Sequence, residues 1–559
     1  MANGFGSLFV GASGLMSAQN SLNVTANNLA NVDTKGYVRE QVRYTDQNYI
    51  TTKNPTKGTN MHQTGLGVSI GDVAHARDIF LDKAYRLETG RSAFYSTYYE
   101  VNIQVEDLFQ ELDGEQFKGA VGDFWQAFQE LAKTPEDTTI QNLVLQKAEL
   151  FLTRSQSLYS NLQSYQTNLN QQVADSVDKV NKLGNRIYEL NNIIQKIESG
   201  GVETAMTYRD ERDNLIDELA SYGAVSYQEN QFGFMNIDFE GVEFVDEMGC
   251  HNMGIYVEDR TTGFYTPYWP QTTDEASGKY TKVFKLDNIS VEYETDIGKI
   301  KALLKARGDK YGKASDLVDM ESYSKVQDCT VTEVEAQLDR LTTTIINSIN
   351  DIYCPNTTYT SPDGLTYTVL DTENCARNKN GDLPPEELFV RIGQKERYTE
   401  TYIDGQKFYV YNEPNPEDDS TWYAIGSVTV NDDLKKVITR MPAYRKDGAV
   451  NYEMANKLAD MWTKTPFTLD PTDTEPTTFE SYYDKMISKL GSKGSVYKTA
   501  AETMESTVNS VENSRKQVTG VSSDEELTNL VKYQSAYNAA SRYISVISEM
   551  TELIVTGLV

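Results

Sequence analysis

The sequence predicts an α+β multidomain fold, in which both chain termini build a long, coiled-coil-like helical bundle and β-rich domains are inserted between them. Apolar side chains recur at seven-residue spacing near both ends, which is typical of helices that pack along a narrow seam. Two middle segments change to alternating apolar and polar residues, which is typical of half-buried strands. The 559 residues suffice for three or four domains of about 150 residues each.

The N-terminal segment places leucines at seven-residue spacing within a stretch that holds no charged side chain before Asp33. Its glycines each weaken an isolated helix by up to about 1 kcal/mol. The pattern therefore predicts a helix that is marginal alone and forms against a partner, although an ordinary N-terminal core helix is a simpler alternative. The candidate assembly positions are Leu8, Leu15, Leu22 and Leu29.

The C-terminal segment carries a matching stripe to the end of the chain. Ser523, followed by three acidic residues, predicts an N-cap with Glu526 at the spacing of a capping box. We expect the two terminal helices to pair, so that the chain leaves and returns to one place. The candidate positions for assembly, and for a bound chaperone, are Leu530, Tyr533, Tyr537, Ile544, Ile547, Ile554 and Leu558.

Longer stripes between the two ends predict a helical rod. One stripe runs from Phe94 to Leu112. A second runs from Leu158 to Ile197, within a helix that begins near Pro135 and is about 60 residues, or roughly 90 Å, long. A third, from Ala501 to Val518, is interrupted by Arg515.

Strand signals mark the two inserted β-rich regions. Met235, Ile237 and Phe239 alternate with polar residues, and the dipeptides Asp363-Gly364, Asn380-Gly381 and Asp404-Gly405 predict hairpin turns. Tyrosine-rich strands are more often packing surfaces than carbohydrate-binding faces. The expected domains are a terminal helical domain (1–62 and 520–559), a helical rod (63–222, 295–353 and 483–519), a first β-rich insertion (223–294) and a second, outer β-rich domain (354–482).

Composition excludes several classes of function. Lys and Arg number 52 and Asp and Glu 82, giving a net charge of 52 − 82 = −30, which disfavours nucleic acid and anionic membranes as partners. No apolar stretch is long enough to span a bilayer, and the start lacks the basic region of a secretory signal. The three His form no HExxH motif and the four Cys form no CxxC pair, so neither a metal nor a cofactor is expected.

Three weaker patterns have ordinary explanations. The glycines at 65, 67 and 71 fail the dinucleotide-binding spacing and instead predict a turn into a strand. Cys354 and Cys375 flank a predicted hairpin, which leaves open a disulfide or two separate thiols. The acidic side chains of 210–217 lie beside Arg209 and Arg212 at the start of a predicted helix, where solvated ion pairs are expected rather than catalytic carboxylates.

The segment Ala26-Asn27-Asn28-Leu29-Ala30-Asn31, followed by Thr34-Lys35-Gly36-Tyr37, and a segment near the other end of the chain resemble the signatures of bacterial flagellar axial proteins, the family of rod, hook and hook-associated proteins. At the C-terminal end the similar segment is Leu530 to Ala539. The Gly36-Tyr37-Val38-Arg39 form resembles the hook-associated members that join hook to filament, as do segments 124–132, 212–219 and 337–341. The residues of the N-terminal motif are Asn27, Asn28, Asn31, Gly36, Tyr37 and Arg39.

The resemblance implies a structural adaptor that is not an enzyme. Such members form a ring of about eleven subunits that joins hook to filament and buffers their mechanical mismatch. The implied partners are other copies of the chain, hook protein, an adjacent hook-associated protein and the flagellin filament, with an export chaperone on the C-terminal helix. The implied route is the flagellar type III export system, with termini that become ordered on assembly.

Two other functions remain open from the sequence. The nearer one is another flagellar axial protein, a hook or distal rod subunit. The farther one is a secreted glycan-binding or hydrolytic protein whose activity lies in the β-rich domains.

Overall fold

The computed structural model describes residues 2–34, 36–47, 49–53, 61–109, 117–200, 204–274, 278–416, 418–464 and 466–557. The predicted α+β multidomain fold is confirmed, with long helices from both ends of the chain and small sheets between them. The helices are α1 (Ala2–Ala30), α2 (Ile79–Phe109), α3 (Phe117–Lys133), α4 (Thr138–Glu198), α5 (Met206–Ala220), α6 (Lys299–Arg307), α7 (Met320–Val326), α8 (Thr330–Tyr353), α9 (Asp432–Lys436), α10 (Tyr452–Lys464), α11 (Phe479–Thr519) and α12 (Ser523–Thr556).

The strands form short antiparallel sheets. Four of them, β1 (Glu40–Asp46), β2 (Ile50–Lys53), β3 (Met61–Thr64) and β4 (Val68–His75), connect α1 to α2. The others are β5 (Val225–Glu229), β6 (Met235–Phe239), β7 (Val242–Asp246), β8 (Gly249–Cys250), β9 (Gly254–Val257), β10 (Tyr265–Tyr268), β11 (Asn356–Thr360), β12 (Thr366–Leu370), β13 (Phe389–Arg391), β14 (Tyr398–Ile403), β15 (Gln406–Tyr411) and β16 (Val428–Val430).

The terminal helices α1 and α12 pack against each other in antiparallel orientation. Asn28, near the end of α1, hydrogen-bonds Glu526 at the start of α12. At the other end of the pair, a methyl group added to Gly11 would come within 2.8 Å of Ile544 Cγ1. Close approach of the two backbones therefore depends on small side chains, and the expected pairing of the chain ends is present.

The predicted leucines are not the fully buried positions of the α1 seam. Leu15, Leu22 and Leu29 are half-buried, and Leu8 is exposed. The fully buried positions lie between the leucines, where small or polar side chains allow close contact between the helices. These buried positions are Gly11, Ser17, Ala18, Ser21, Thr25 and Asn28.

The predicted stripe of α12 lies on the side that faces α1 for most of its length. Leu530, Tyr533, Tyr537, Ile544 and Ile547 are half-buried. Ile554 is exposed, and Leu558 lies outside the described residues.

The N-cap of α12 differs by one residue from the prediction. Ser522, not Ser523, caps α12 and accepts a hydrogen bond from Glu525 N. Glu526 does not close a capping box, because its carboxylate pairs with Arg39 instead.

The rod is built around α4, which has 61 residues as expected from its stripe. Leu162, Val180 and Ile187 on α4 are fully buried, and they belong to one apolar core that continues through α2, α8 and α11. Leu112, the last position of the first predicted stripe, lies outside the described residues. Helices α2 and α11 run side by side, with Tyr98 stacked on Tyr497 at 4.8 Å between ring centroids.

The β-rich regions follow the predicted alternation in part. Met235, Ile237 and Phe239 are the buried residues of β6, the second strand in a sheet of order β5-β6-β7-β8. Asp363-Gly364 joins β11 to β12 and Asp404-Gly405 joins β14 to β15, within a sheet of order β11-β12-β15-β14. Both residues of the Asp404-Gly405 turn have positive φ, as a tight hairpin turn requires.

Two features of the second β-rich region were not predicted. Asn380-Gly381 forms a turn that no assigned strand flanks, so the predicted hairpin there is wrong. Helix α10 packs on α3, because Trp462 inserts against Phe124 with ring centroids 5.6 Å apart.

Cys354 and Cys375 are free thiols, so no disulfide closes this region.

Within the described ranges, no helix is long and apolar enough to cross a membrane. The same residues contain no group of three or more His, Cys, Asp or Glu arranged to hold a metal ion.

Candidate functional site

The N-terminal motif meets the start of α12 and one end of α5 at a single point, which we call the terminal node. It consists of Asn28, Tyr37, Val38, Arg39, Asp210 and Glu526. These residues join the α1–α12 pair to the helices of the rod. The node therefore connects the terminal helices to the rest of the chain.

Asn28 lies in the last turn of α1 and is almost completely buried. Its Nδ2 donates to Glu40 O at 2.9 Å and to Glu526 Oε2 at 3.3 Å, while its Oδ1 accepts from Tyr37 OH at 2.8 Å and from Glu40 N at 3.0 Å. Two donors and two acceptors are the full hydrogen-bonding capacity of an asparagine amide. A residue of another type here would leave buried polar groups unpaired.

Arg39 connects the segment after α1 to the first turn of α12. Its Nε lies 2.9 Å from Glu526 Oε1, its Nη2 lies 2.8 Å from the same oxygen, and its Nη1 lies 2.9 Å from Glu525 Oε2. The backbone N of Arg39 also donates to Thr519 O, the last residue of α11, at 2.9 Å. One residue thus holds the end of α11 and the beginning of α12.

Gly36 turns the chain from α1 towards this contact. Its φ of +80° lies in the left-handed region that favours glycine. A Cβ atom at this position would come within 2.2 Å of Asn214 Nδ2 on α5. Both the backbone conformation and the neighbouring amide therefore require glycine.

Asn27 and Asn31 lie on the more exposed side of the same turn. Asn31 Nδ2 donates to Asn27 O at 3.0 Å, and Asn27 Nδ2 donates to Tyr37 OH at 3.3 Å. These two asparagines close the end of α1, whereas Asn28 makes the contacts to other elements.

A group of buried charges continues from the node into the rod, and we call it the ion cluster. It comprises Arg77, Asp82, Arg86, Asp210, Asp213, Asp217 and Arg515. Its members come from four separate parts of the chain, namely the end of the β-strand segment and helices α2, α5 and α11. Val38 N donates to Asp210 Oδ2 at 3.1 Å and so links the cluster to the terminal node.

The predicted solvated ion pairs of α5 are therefore a wrong interpretation for Asp210, Arg212 and Asp213, which are buried. Arg77 pairs with Asp213, and Arg86 Nε lies 2.7 Å from Asp217 Oδ1. Their partners come from other parts of the chain, not from the same helix surface.

Arg515 explains the interruption in the apolar stripe of α11. Its Nε lies 2.6 Å from Asp82 Oδ1 and its Nη1 lies 2.6 Å from Asp217 Oδ2. One arginine therefore neutralises carboxylates on both α2 and α5. An arginine in an apolar stripe was the sequence signal that pointed to this cluster, but the stripe alone did not reveal its partners.

Burial sets the protonation behaviour of the cluster. It raises the pKa of Asp210 to about 7 and lowers the pKa of His75 to about 4. His75 Nε2 and Asp210 Oδ1 lie 3.4 Å apart. Burial alone would also raise the pKa of Asp213, but Arg77 and the other arginines around it outweigh that effect and hold it below its usual value.

The arrangement fixes the terminal helices to the rod through hydrogen bonds and ion pairs. Asn28, Tyr37 and Arg39 come together as one hydrogen-bonded unit, and their partners are backbone groups and carboxylates of the same chain. Exposed apolar side chains of the helix pair lie outside this unit, among them Leu8, Phe9 and Met16 on α1 and Leu553 and Ile554 on α12.

Comparison with known protein families gives three matches along the chain. The family model described as flagellar hook-associated protein FlgK helical domain matches residues 103–361. The models for flagella basal body rod protein and for flagellar basal body rod FlgEFG protein C-terminal match residues 8–37 and 517–556. The last two matches cover most of the helix pair and include Asn28, Tyr37 and Glu526 of the terminal node.

Similar proteins extend over almost the whole length. Flagellar hook-associated protein 1 of Bacillus subtilis is 23% identical over 559 aligned residues, covering 97% of this chain and 96% of that protein. Flagellar hook-associated protein 1 of Salmonella typhimurium is 22% identical, covering 95% and 96%. The flagellar hook protein FlgE of Borreliella burgdorferi is 34% identical, but over 16% of this chain and 22% of that protein.

The fold is also similar to a solved structure, described as the flagellar hook junction protein FlgK from Burkholderia pseudomallei. The TM-score is 0.51 at 10% sequence identity, with 78% of this chain and 100% of that chain covered. Its low identity makes this a similarity of fold. The family-model matches and the near full-length relatives make the chain similar, from end to end, to flagellar hook-associated protein 1 (FlgK).

Proposed function

We propose that this chain is the subunit that joins the flagellar hook to the filament. The α1–α12 pair would form the inner tube of a ring of about eleven copies, with hook protein on one side and an adjacent hook-associated protein and the filament on the other. The rod around α4 would carry axial load and torque and buffer the mechanical mismatch between hook and filament. The β-rich regions would face outwards and touch lateral neighbours.

The observation that carries this proposal is the apolar surface on the outside of the helix pair. Met16 on α1 is 65% exposed and Leu553 on α12 is 73% exposed, as are several other large apolar side chains of these two helices. Isolated soluble proteins rarely leave such surfaces uncovered, and they mark contacts with other proteins. Neighbouring copies in a ring would bury them.

The domain division fits this function with one adjustment. The boundary expected at residue 62 falls inside the pair of strands β2 and β3, and β1 pairs with β4 along Glu40–Asp46 and Val68–His75. We therefore place the end of the first terminal segment near residue 77. The second terminal segment still begins near 520, between α11 and α12.

Export through the flagellar type III channel is consistent with the proposed role as a junction subunit. The seam of α1 is small and polar, and its glycines weaken an isolated helix, so α1 has little stability without a partner. The C-terminal helix, with its half-buried stripe and exposed last turns, is the segment that an export chaperone would cover. Both features suit a chain that folds its ends at the place of assembly.

Substitution of exposed apolar residues tests the proposal. Met16→Asp and Leu553→Asp should leave a folded, exported protein that does not build a junction, so cells should release unpolymerised flagellin. Gln534→Glu, which adds a charge at an exposed position of α12, is the matched control and should build normal filaments. Leu22→Asp and Ile547→Asp should also fail, but both positions are half-buried, so helix pairing must be measured alongside.

Normal filaments in the Met16→Asp and Leu553→Asp strains would exclude the proposed assembly surface. The alternative role as a hook or distal rod subunit is separated by complementation. The chain should restore filaments in a cell that lacks its junction protein, and not in cells that lack hook or distal rod protein.

A further inference from the structure

Arg307, at the end of α6, is a buried cation without a counter-ion. Its side chain is 1% exposed, yet no described carboxylate lies within 4.0 Å of its guanidinium. Burial lowers the pKa of Arg307 to about 10. A buried charge is costly unless it is paired, so an unpaired guanidinium needs an explanation.

Hydrogen bonds account for only part of this guanidinium. Nε donates to Gly308 O at 3.0 Å, and Nη1 donates to Asn170 Oδ1 at 2.7 Å and to Tyr265 O at 3.0 Å. The face of the group stacks on the Phe264 ring at 4.7 Å. Among the described residues, no acceptor is found for Nη2, which leaves two N–H groups available.

Arg307 lines a cavity of about 380 Å³ between the β9–β10 hairpin and helices α6, α7 and α8. Lys282, Lys310 and Lys325 also line it. Lys282 and Lys310 are paired at close range, with Glu258 and Asp316 respectively. Lys325 is 65% exposed and only 4.0 Å from Glu321, so it is the rim cation that is freest to turn inwards.

The other large buried arginines differ from Arg307. Arg212 has Glu229 at 3.1 Å. Arg391 lies over the ring of Tyr423 at 5.0 Å, and its Nε and Nη2 are enclosed in the protein. The combination of an unpaired, buried guanidinium with an adjoining cavity therefore distinguishes Arg307 from these two.

We propose that this cavity is an oxyanion-binding site, in which Arg307 Nη2 and Lys325 bind a phosphate or carboxylate group. Planar guanidinium groups bind such oxygens with directed, charge-assisted hydrogen bonds, which suits a preformed donor at the base of a cavity. The exposed carboxylate of Asp309 lies near Arg307 and interacts electrostatically with its guanidinium. Its negative charge opposes anion binding in the cavity. Two sources could supply the bound group, namely a free inorganic anion or an acidic side chain of another polypeptide, and experiment decides between them.

Ligand-detected NMR on the full-length protein distinguishes these two sources. One arm follows ³¹P line broadening of inorganic phosphate, and the other follows saturation transfer to N-acetyl-aspartate amide, both at constant ionic strength. Saturable binding in the phosphate arm assigns a free anion, and saturable binding only in the aspartate arm assigns a protein carboxylate. Absence of saturable binding in both arms overturns the proposal.

Variants test whether the response comes from this cavity. Arg307→Gln should abolish saturable binding, Lys325→Gln should weaken it about two- to fivefold, and Asp309→Asn should strengthen it by a similar factor. Lys498→Gln, on the exposed surface of α11, is the matched control and should bind as the unsubstituted chain does. If Arg307→Gln does not fold, the opposite effects of Lys325→Gln and Asp309→Asn test the proposal. Unchanged binding in both of these variants overturns it.

Discussion

Arg39 and Glu526 are 487 positions apart in the chain, and their side chains meet with Arg39 Nη2 2.8 Å from Glu526 Oε1. The glutamate is 2% exposed, so the pair is largely shielded from water. This contact fixes the start of α12 to the segment that follows α1. Its removal should loosen both terminal helices without unfolding the rod.

Glu526→Gln keeps the shape of the side chain and removes its charge. We expect a loss of about 2 kcal/mol in the stability of the terminal helix pair, because a shielded, charge-assisted hydrogen bond becomes a neutral one. Hydrogen exchange of α1 and α12 amides measures this loss. Glu525→Gln is the control, since Glu525 is 62% exposed and contacts the same arginine, and it should cost less than about 0.5 kcal/mol.

Gly11→Leu should separate α1 from α12. The added side chain would meet Ile544 Cγ1 and Tyr543 Cδ1 within about 3 Å, so the helices must move apart. We expect faster exchange in the C-terminal half of α12, despite the higher helix propensity of leucine. Gly122→Ala on α3 faces open space and should instead raise stability by about 0.5 to 1 kcal/mol, which thermal unfolding would detect.

Arg515→Met should destabilise the rod at its junction with the terminal helices. The substitution removes the cation that Asp82 and Asp217 share, while Arg77 stays 3.7 Å from Asp82 and Arg86 stays 2.7 Å from Asp217. We therefore expect a loss of about 2 kcal/mol, less than for a buried charge left without any partner. Urea unfolding measures the change. Lys516→Met, which removes an exposed pair with Glu512 on the same helix, should change stability by less than about 0.5 kcal/mol.

The pH dependence of stability should carry opposite contributions from Asp210 and His75. The pKa of Asp210 is raised to about 7 in the folded protein, so its contribution falls as pH rises from about 4 through about 7. The pKa of His75 is lowered to about 4, so its contribution falls as pH drops from about 6.5 to about 4.

Urea unfolding as a function of pH separates the two groups. Asp210→Asn should gain about 1 to 2 kcal/mol relative to the unsubstituted chain between pH 7 and 8, and His75→Gln should gain a similar amount between pH 4 and 5. Parallel pH profiles for the unsubstituted chain and both variants would contradict these assignments.

The sequence predicted the long helices and the strand segments because their periodicity is local. The stripe from Leu158 to Ile197 and the alternation at Met235, Ile237 and Phe239 each identify a buried face without knowledge of its partner. The fold class followed from these patterns, and the pairing of the chain ends followed from the stripes at the two termini. Helix α10 was missed because the residues around it were interpreted as part of a β-rich segment.

The candidate site was less predictable, since its contacts join distant segments. The leucines of α1 suggested a seam, but close packing of two helices favours small side chains, and Gly11, Ala18 and Ser21 form it instead. The charges of α5 were interpreted from their own helix, whereas Arg86 and Arg515 reach them from 127 or more positions away. Hydrogen-bond partners at such separations leave no periodic signal.

The link between Arg39 and Glu526 also has a temporal consequence. Because synthesis runs from the N-terminus, α1 exists long before the residues of α12 have been made. Closing a loop of this length becomes easy only when the intervening domains have already folded and brought their ends together. The helix pair can therefore form only as the final step of folding, after α12 is present and the intervening domains have folded.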